Sequence, residues 1–298
     1  MPPVKISVVI INYNYADYVP LAIQSVLNQT LPPDQIIVVD DGSTDNSVNV
    51  ISSLVESSNV IFHRKMNGGQ LSAVRSGINL AEGDWIFFLD SDDEWTPDHL
   101  QQARHCIAGN PDVSLYFSNH QETAGPPIFR SKWPAGKFGP CSGLVVATGT
   151  RIGTIESTLG LRADKARDSI SFDHLIDEKW RMRAEDCLIF GASLSGAIAY
   201  YNPEQTVNYR IHGNNSFAHK DRSQEEQQYQ LNKNELFIYW SNRYGISSET
   251  LQRLISTELN AHTHNIKNIT LKRRSRRAAR ALFRKAILVH LKKIISKS

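Results

Sequence analysis

Apolar positions in the first third of the chain follow two alternating periods. Lys5 to Ile11 (Lys-Ile-Ser-Val-Val-Ile-Ile) is a β-branched run and reads as a strand. Val19, Ala22, Ile23, Val26 and Leu27 then recur at offsets of three and four, the stripe of an amphipathic helix, which Pro32-Pro33 stops. Gln35 to Val39 predicts a second strand, and Val48, Ile51, Leu54 and Val55 mark one face of the helix after it. Asn59 to His63 predicts a short third strand. Leu71 to Ala81 predicts a helix in which Gly77 suits close packing. Trp85 to Leu89 is apolar or aromatic without a break, as expected of a strand buried on both faces. This alternation predicts an α/β fold, a doubly wound and mostly parallel central sheet flanked by helices.

Each of three strands ends in a polar cluster: Asn12 to Asn14, Asp40 to Asp45, and Asp90 to Asp93. Ligands bind open α/β sheets at the carboxyl ends of the strands, so the three clusters should share one edge and form one site. Carboxylates crowded as in Asp90-Ser-Asp92-Asp93 repel one another unless a cation shares them. An all-oxygen set favours a hard divalent cation, Mg2+ or Mn2+. The plainer alternative is an acidic turn in which Asp92 or Asp93 caps the helix after Pro97. Walker-type phosphate loops and a Gly-x-Gly-x-x-Gly fingerprint are both absent.

The later chain is less regular. Val113 to Ser118 predicts a strand, and Gly- and Pro-rich Glu122 to Gly149 predicts irregular loops suited to a lid. Glu185-Asp186 stand before an apolar helical start, where acids are also favoured simply by the helix dipole. Thr206 to Tyr209 reads as an edge strand leading to His212, and a lone histidine is more often structural than a ligand. Residues 217 to 271 carry helical stripes such as Leu231, Leu236 and Tyr239, expected to pack on the domain.

The net charge of +3 conceals an asymmetry. From Lys272 onward there are eleven Lys or Arg and no acid, which leaves the remainder with 22 bases, 30 acids and a net of −8. An acidic body disfavours nucleic acid as a partner. Residues 273–295 combine helical apolar spacing with a face of Arg273, Arg277, Arg280 and Arg284. That helix suits either peripheral contact with an anionic membrane or docking on the domain. No apolar run is long enough to span a membrane, and no secretory pattern opens the chain. Cys106, Cys141 and Cys187 fit neither a zinc site nor a disulfide framework. A cytoplasmic protein, some of it peripheral at the membrane face, is the expectation.

Taken in order, Ser7-Val-Val-Ile-Ile-Asn-Tyr13-Asn14, Val38-Val-Asp40-Asp41-Gly-Ser-Thr-Asp45, Asn67-x-Gly69, Ala81-Glu-Gly83, Leu89-Asp90-Ser-Asp92-Asp93, Glu185-Asp186 and Tyr209-Arg-x-His212 resemble the family 2 inverting glycosyltransferases. The resemblance covers residues 4 to 216 and departs at Val74-Arg75, where relatives often carry Arg-Asn. It implies the nucleotide-diphospho-sugar transferase fold of GT-A type. The implied division is a catalytic domain over 1–216 (donor side 1–118, acceptor side 119–216) and a helical extension over 217–298.

It further implies that Ile11, Tyr13, Asp41, Asn67, Gly69, Asp90 and Ser91 line the donor nucleotide, with Asp41 reading the base and Tyr13 stacking on it. Asp92 would hold the divalent metal, with Asp93 as a substitute and His212 approaching the metal or diphosphate. Asp186 would be the general base, with Glu185 beside it. The implied reaction moves a hexosyl-type sugar from a nucleotide-sugar, UDP favoured, to a glycan or lipid-linked acceptor. A nucleotidyltransferase would want a basic, Gly-rich loop after the first strand, and Asn12 to Asp17 is neither. A non-catalytic carbohydrate- or nucleotide-binding module would not need the Glu185-Asp186 pair.

Overall fold

The computed structural model describes residues 4–56, 58–123, 135–140, 142, 145, 151–153, 155–172, 178–213, 223–247, 250, 253 and 254. The basic helix expected over 273–295 and most of the proposed lid, 122–149, lie outside the described residues. The elements begin with β1 (Ile6–Asn12), α1 (Val19–Leu27), β2 (Gln35–Asp40), α2 (Ser47–Val55) and β3 (Val60–Arg64). They continue with α3 (Gln70–Leu80), β4 (Trp85–Asp90), β5 (Glu94–Trp95), α4 (His99–Ala108), β6 (Leu115–Glu122) and β7 (Gly136–Pro140). A 3-10 turn (Glu156–Thr158) leads into β8 (Leu159–Arg162), α5 (Ala163–Ser169), α6 (Ala184–Leu194), β9 (Ile198–Tyr209) and α7 (Ser223–Arg243).

One sheet runs β3-β2-β1-β4-β8-β6-β9-β5, with β7 paired to β9. Its β3-β2-β1-β4 half is parallel. β8 lies antiparallel to both β4 and β6, so the sheet as a whole is mixed. The residues of β1 alternate between two cores, which is why its apolar run is unbroken. Ile6, Val8 and Ile10 pack with α1, α2 and α4, and Val9 and Ile11 with α3, α5 and α6. β4 behaves the same way, Trp85, Phe87 and Leu89 on one face and Ile86 and Phe88 on the other. Gly77 of α3 sits directly against the side chain of Val9, where a Cβ would clash. His99 is a buried structural histidine: it stacks on Trp95 at 4.2 Å and bonds Thr206 Oγ1 at 2.8 Å. Burial holds its pKa down at about 3.

Two sequence expectations change. The strand expected at the edge over Thr206 to Tyr209 is the end of the twelve-residue β9, held between β6 and β5. Pro203 hid its length, and the β6–β9 register shifts opposite it, between Phe117 and Asn119, and again between Asn119 and His120. In α7 the apolar face is Leu236, Phe237 and Trp240, all buried, whereas Leu231 is exposed. Trp240 stacks on Tyr244 at 5.6 Å, meets Phe172 edge-on at 6.0 Å, and belongs to the same core as α3 and α6. Trp240→Ala should therefore cost about 3–5 kcal/mol in urea unfolding of the whole domain. A loss below about 1 kcal/mol would show that α7 does not belong to this core.

Candidate active site

Strand register brings the three polar clusters onto one rim. Asn12 pairs with Asp40, and Ile11 with Asp90, so the ends of β2, β1 and β4 lie side by side. The β1 and β2 loops are then stapled together. Asn12 Nδ2 donates to Asp40 Oδ2 at 2.9 Å, and Asn14 Oδ1 accepts from the Thr44 amide at 2.7 Å. Asn14 itself is left-handed, at φ 58. Asp41 is buried and accepts from Lys65 Nζ at 2.6 Å and from the amides of Gly68 (2.9 Å) and Gly69 (2.7 Å). Those three donors occupy all but about one of the roughly four acceptor positions of a carboxylate. Gly69 presents its amide at φ +85 with the Arg181 side chain packed against its Cα, so no Cβ is tolerated there. Arg181 also bonds Asn67 Oδ1. Tyr13 stands at the end of β1, 45% exposed and open to a ring-shaped partner.

Asp90, Asp92 and Asp93 each offer a ligand oxygen, and these oxygens lie within 4.8 Å of one another. Ser91 Oγ, buried in the same turn, has no hydrogen-bond partner. Asp93 does not cap a helix. Its Oδ2 accepts from Ser157 Oγ at 2.6 Å and its Oδ1 from the Arg210 amide at 3.0 Å. The cap of α4 falls at Asp98, so the plainer reading of the acidic turn does not hold. Asp92 Oδ2 meets His212 Nε2 at 3.1 Å, and the His212 ring stacks on Tyr18 at 4.8 Å. Arg210 pairs with Glu94 and covers the other ring, Tyr18, at 5.3 Å. Burial, and then repulsion from Asp92 and Asp93, push the Asp90 carboxyl well above its ordinary range. Burial and Asp92 push Asp93 up to about 8. This donor set fits a hard divalent cation, whose charge would offset the crowding.

A further acidic pair arrives from far along the chain. Glu185 and Asp186 occupy the first turn of α6, and Asp186 is only 1% exposed. Arg151 Nη1 pairs with Glu185 Oε1 at 2.9 Å and with Asp186 Oδ1 at 3.1 Å. Arg183 Nη1 lies 3.4 Å from Asp186 Oδ2. Burial raises the Glu185 carboxyl despite Arg151. Gln70, at the start of α3, ties the clusters together. Its amide donates to Glu156 Oε2 at 2.7 Å, and its Oε1 accepts from the Ala184 amide at 3.3 Å. Glu156 is buried and held up by burial and by the charges of Asp90 and Glu185.

Sequence reasoning found the acids of all three clusters but missed Gln70, Arg151, Glu156 and Ser157. Only Gln70 carried a signal, as the residue after the Asn67-x-Gly69 motif. Val74 is fully buried and Arg75 Nη2 bonds the Ile170 carbonyl at 3.1 Å, so this departure from the family pattern faces the second half of the domain.

A mixed α/β sheet flanked by helices, with its polar rim at the ends of the parallel strands, is an architecture of GT-A type. The family model described as Glycosyl transferase family 2 matches residues 7–140. An uncharacterized glycosyltransferase of Nostoc sp. is 32% identical over 256 residues, 80% of this chain and 74% of that one. The chain belongs to glycosyl transferase family 2. In fold it is similar to S. aureus TarS 1-349, with a TM-score of 0.64, 18% identity, and coverage of 88% of this chain and 72% of that one. TarS structures exist in complex with UDP and with UDP-GlcNAc. A mannosyltransferase from Pyrobaculum calidifontis, solved with GDP-Man and Mn2+, gives a TM-score of 0.53 at 12% identity, covering 99% of this chain and 81% of that one. Among the described residues no helix is long and apolar enough to cross a membrane.

The raised Asp93 carboxyl makes a stability prediction for metal-free protein. An acid whose folded pKa lies above its unfolded value of about 4 is protonated in both states below that pH. As pH climbs toward about 8 the unfolded chain sheds its proton first, and the folded state loses stability. His99 and His120, held neutral by burial, act oppositely but only below about pH 6.5. With chelator present, the urea midpoint should fall between about pH 7 and about 8.5, and Asp93→Asn should flatten that fall. A rising midpoint in the parent would contradict the crowding.

Proposed function

We propose that this glycosyltransferase uses a divalent metal, Mn2+ or Mg2+, to move a sugar from a nucleotide-diphosphate donor, UDP favoured, onto an acceptor hydroxyl with inversion. The observation that carries the proposal is the meeting of three sets on one rim: Asp41 with its glycine amides, the Asp90-Asp92-Asp93 oxygens, and Glu185-Asp186. The TarS complexes with UDP and UDP-GlcNAc and the mannosyltransferase complex with GDP-Man and Mn2+ support a nucleotide-sugar donor and a metal.

The residues divide the task by position. Asp41 keeps an acceptor position for an N–H of the base, and Lys65 with the two glycine amides holds its side chain still. Tyr13 lies against the base plane, with Ile11, Asn67, Gly69 and Ser91 forming the walls of that pocket. Asp92, with Asp90 and Asp93, would hold the cation, and His212 keeps the Asp92 carboxylate in place. Bound there, a divalent cation supplies Lewis-acid neutralisation of the diphosphate leaving group. Asp186 takes the proton of the acceptor hydroxyl as it attacks the anomeric carbon. A single displacement inverts the configuration.

Arg151 and Arg183 orient the Asp186 carboxylate. The acceptor is a growing glycan or a lipid-linked sugar, the latter if residues 273–295 meet a membrane. Placement at the cytoplasmic membrane face belongs to the same proposal.

Asp186→Asn should abolish transfer while metal-dependent nucleotide binding, read by calorimetry, stays within about twofold. Loss of both would remove the base assignment. Asp92→Ala should weaken nucleoside-diphosphate binding in Mn2+ by at least about tenfold and leave binding without metal unchanged. Equal weakening in both conditions would place the metal elsewhere.

A further inference from the structure

The loop whose glycine amides hold Asp41 is itself gripped by one residue from far along the chain. Arg181, on the turn before α6, accepts from the Leu71 amide through its carbonyl at 3.1 Å and donates through Nη2 to Asn67 Oδ1. Between those anchors its side chain crosses Gly69, where a Cβ would meet Arg181 Cγ and, at 2.9 Å, Nε. Gly69 is thus shared: its Cα carries the Arg181 side chain, and its amide donates to Asp41 Oδ2 at 2.7 Å.

The other cations of this rim are taken by acids. Lys65 pairs with Asp41, Arg151 and Arg183 with Asp186, and Arg210 with Glu94. Arg181 is exposed, and among the described residues no carboxylate pairs with it. Helix α3 sends no cation to this place, since Val74 is in the core and Arg75 lies over the Phe172 ring at 5.5 Å.

We propose that Arg181 is a nucleoside-binding residue: the guanidinium that Asn67 anchors over Gly69 covers the face of the base whose edge meets Asp41. A guanidinium is planar and weakly hydrated, and it stacks on rings in a way an ammonium does not. An N–H of the base on Asp41 brings the ring to Asn67 and Gly69, the two residues that the Arg181 side chain spans. Tyr13, from the end of β1, and Arg181, from the turn before α6, then hold the base from two separate parts of the chain. The inference rests on the donor base lying at Asp41, and it extends that pocket beyond residues 7–140, which the family model matches.

The test uses the full chain and calorimetric titration with UMP in the absence of metal. Arg181→Ala and Arg181→Lys should each weaken UMP about five- to tenfold, while inorganic pyrophosphate with Mg2+ binds within about twofold of the parent. Binding restored by lysine, or a loss shared by pyrophosphate, shows a charge that serves the phosphates and overturns the proposal. Unchanged UMP binding overturns it too. Nitrogen-15 NMR of the parent separates contact from mere support of the Gly69 loop. The Arg181 Nε–H resonance, assigned with Arg181→Lys, should shift on addition of UMP and stay in place with pyrophosphate and Mg2+. A resonance that UMP does not move overturns the proposal whatever the affinities. Tyr13→Ala, at an exposed position, tells the two levels apart. If it weakens UMP and the Arg181 variants do not, only the role of Arg181 falls. If none of the three weakens UMP, the base does not lie on this rim, and the proposed donor site falls with this inference.

Discussion

Negative charge gathered where water is scarce is the constraint around which this molecule is arranged. β4 delivers Asp90, Asp92 and Asp93 to the end of a strand buried on both faces, and parallel pairing sets Asn12 and Asp40 beside them. Unpartnered buried carboxylates are expensive, so the surroundings supply donors. Asp41 has Lys65 and two glycine amides, Asp93 has Ser157 and the Arg210 amide, and Asp186 has two guanidiniums. What the fold leaves incompletely offset is Asp90 with Asp92 and Asp93, and that residue of repulsion is what a divalent cation would relieve.

Topology explains how distant segments reach the rim. Because β8 runs antiparallel to β4, the turn entering β8 carries Glu156 and Ser157 to the carboxyl end of β4. Because β5 runs antiparallel to β9, the chain leaving β9 carries Arg210 and His212 back to Asp92 and Asp93. The entry to β8 and the exit from β9 thus supply second partners to the acids. Gln70 then joins Glu156 to the start of α6, so the turn entering β8 and the Glu185-Asp186 side are held by one amide.

The parallel half was legible in the sequence because short, β-branched or aromatic apolar runs alternating with helical stripes read as strands covered on both faces. The acids at their ends needed no more than strand direction to be placed on one edge. The second half was not legible for physical reasons. β8 is four residues long and is defined by its neighbours rather than its pattern. The proline in β9 masks its continuity. Glu156 and Arg151 are single charged residues whose meaning depends on partners 86 and 34 positions away. Leu231 and Trp240 show the same limit: helical spacing identifies a stripe, but only docking decides which residues it buries.

The central claim is that these acids act together on one nucleotide-sugar. It is tested most directly by a crystal structure of the protein with Mn2+ and UDP, with the metal placed by anomalous scattering. The account predicts manganese in contact with Asp92, the diphosphate on that metal, the base against Asp41 and Tyr13, and the Asp186 carboxylate facing the space beyond the terminal phosphate. Manganese bound away from the β4 end, or a base lying far from Asp41, would contradict it.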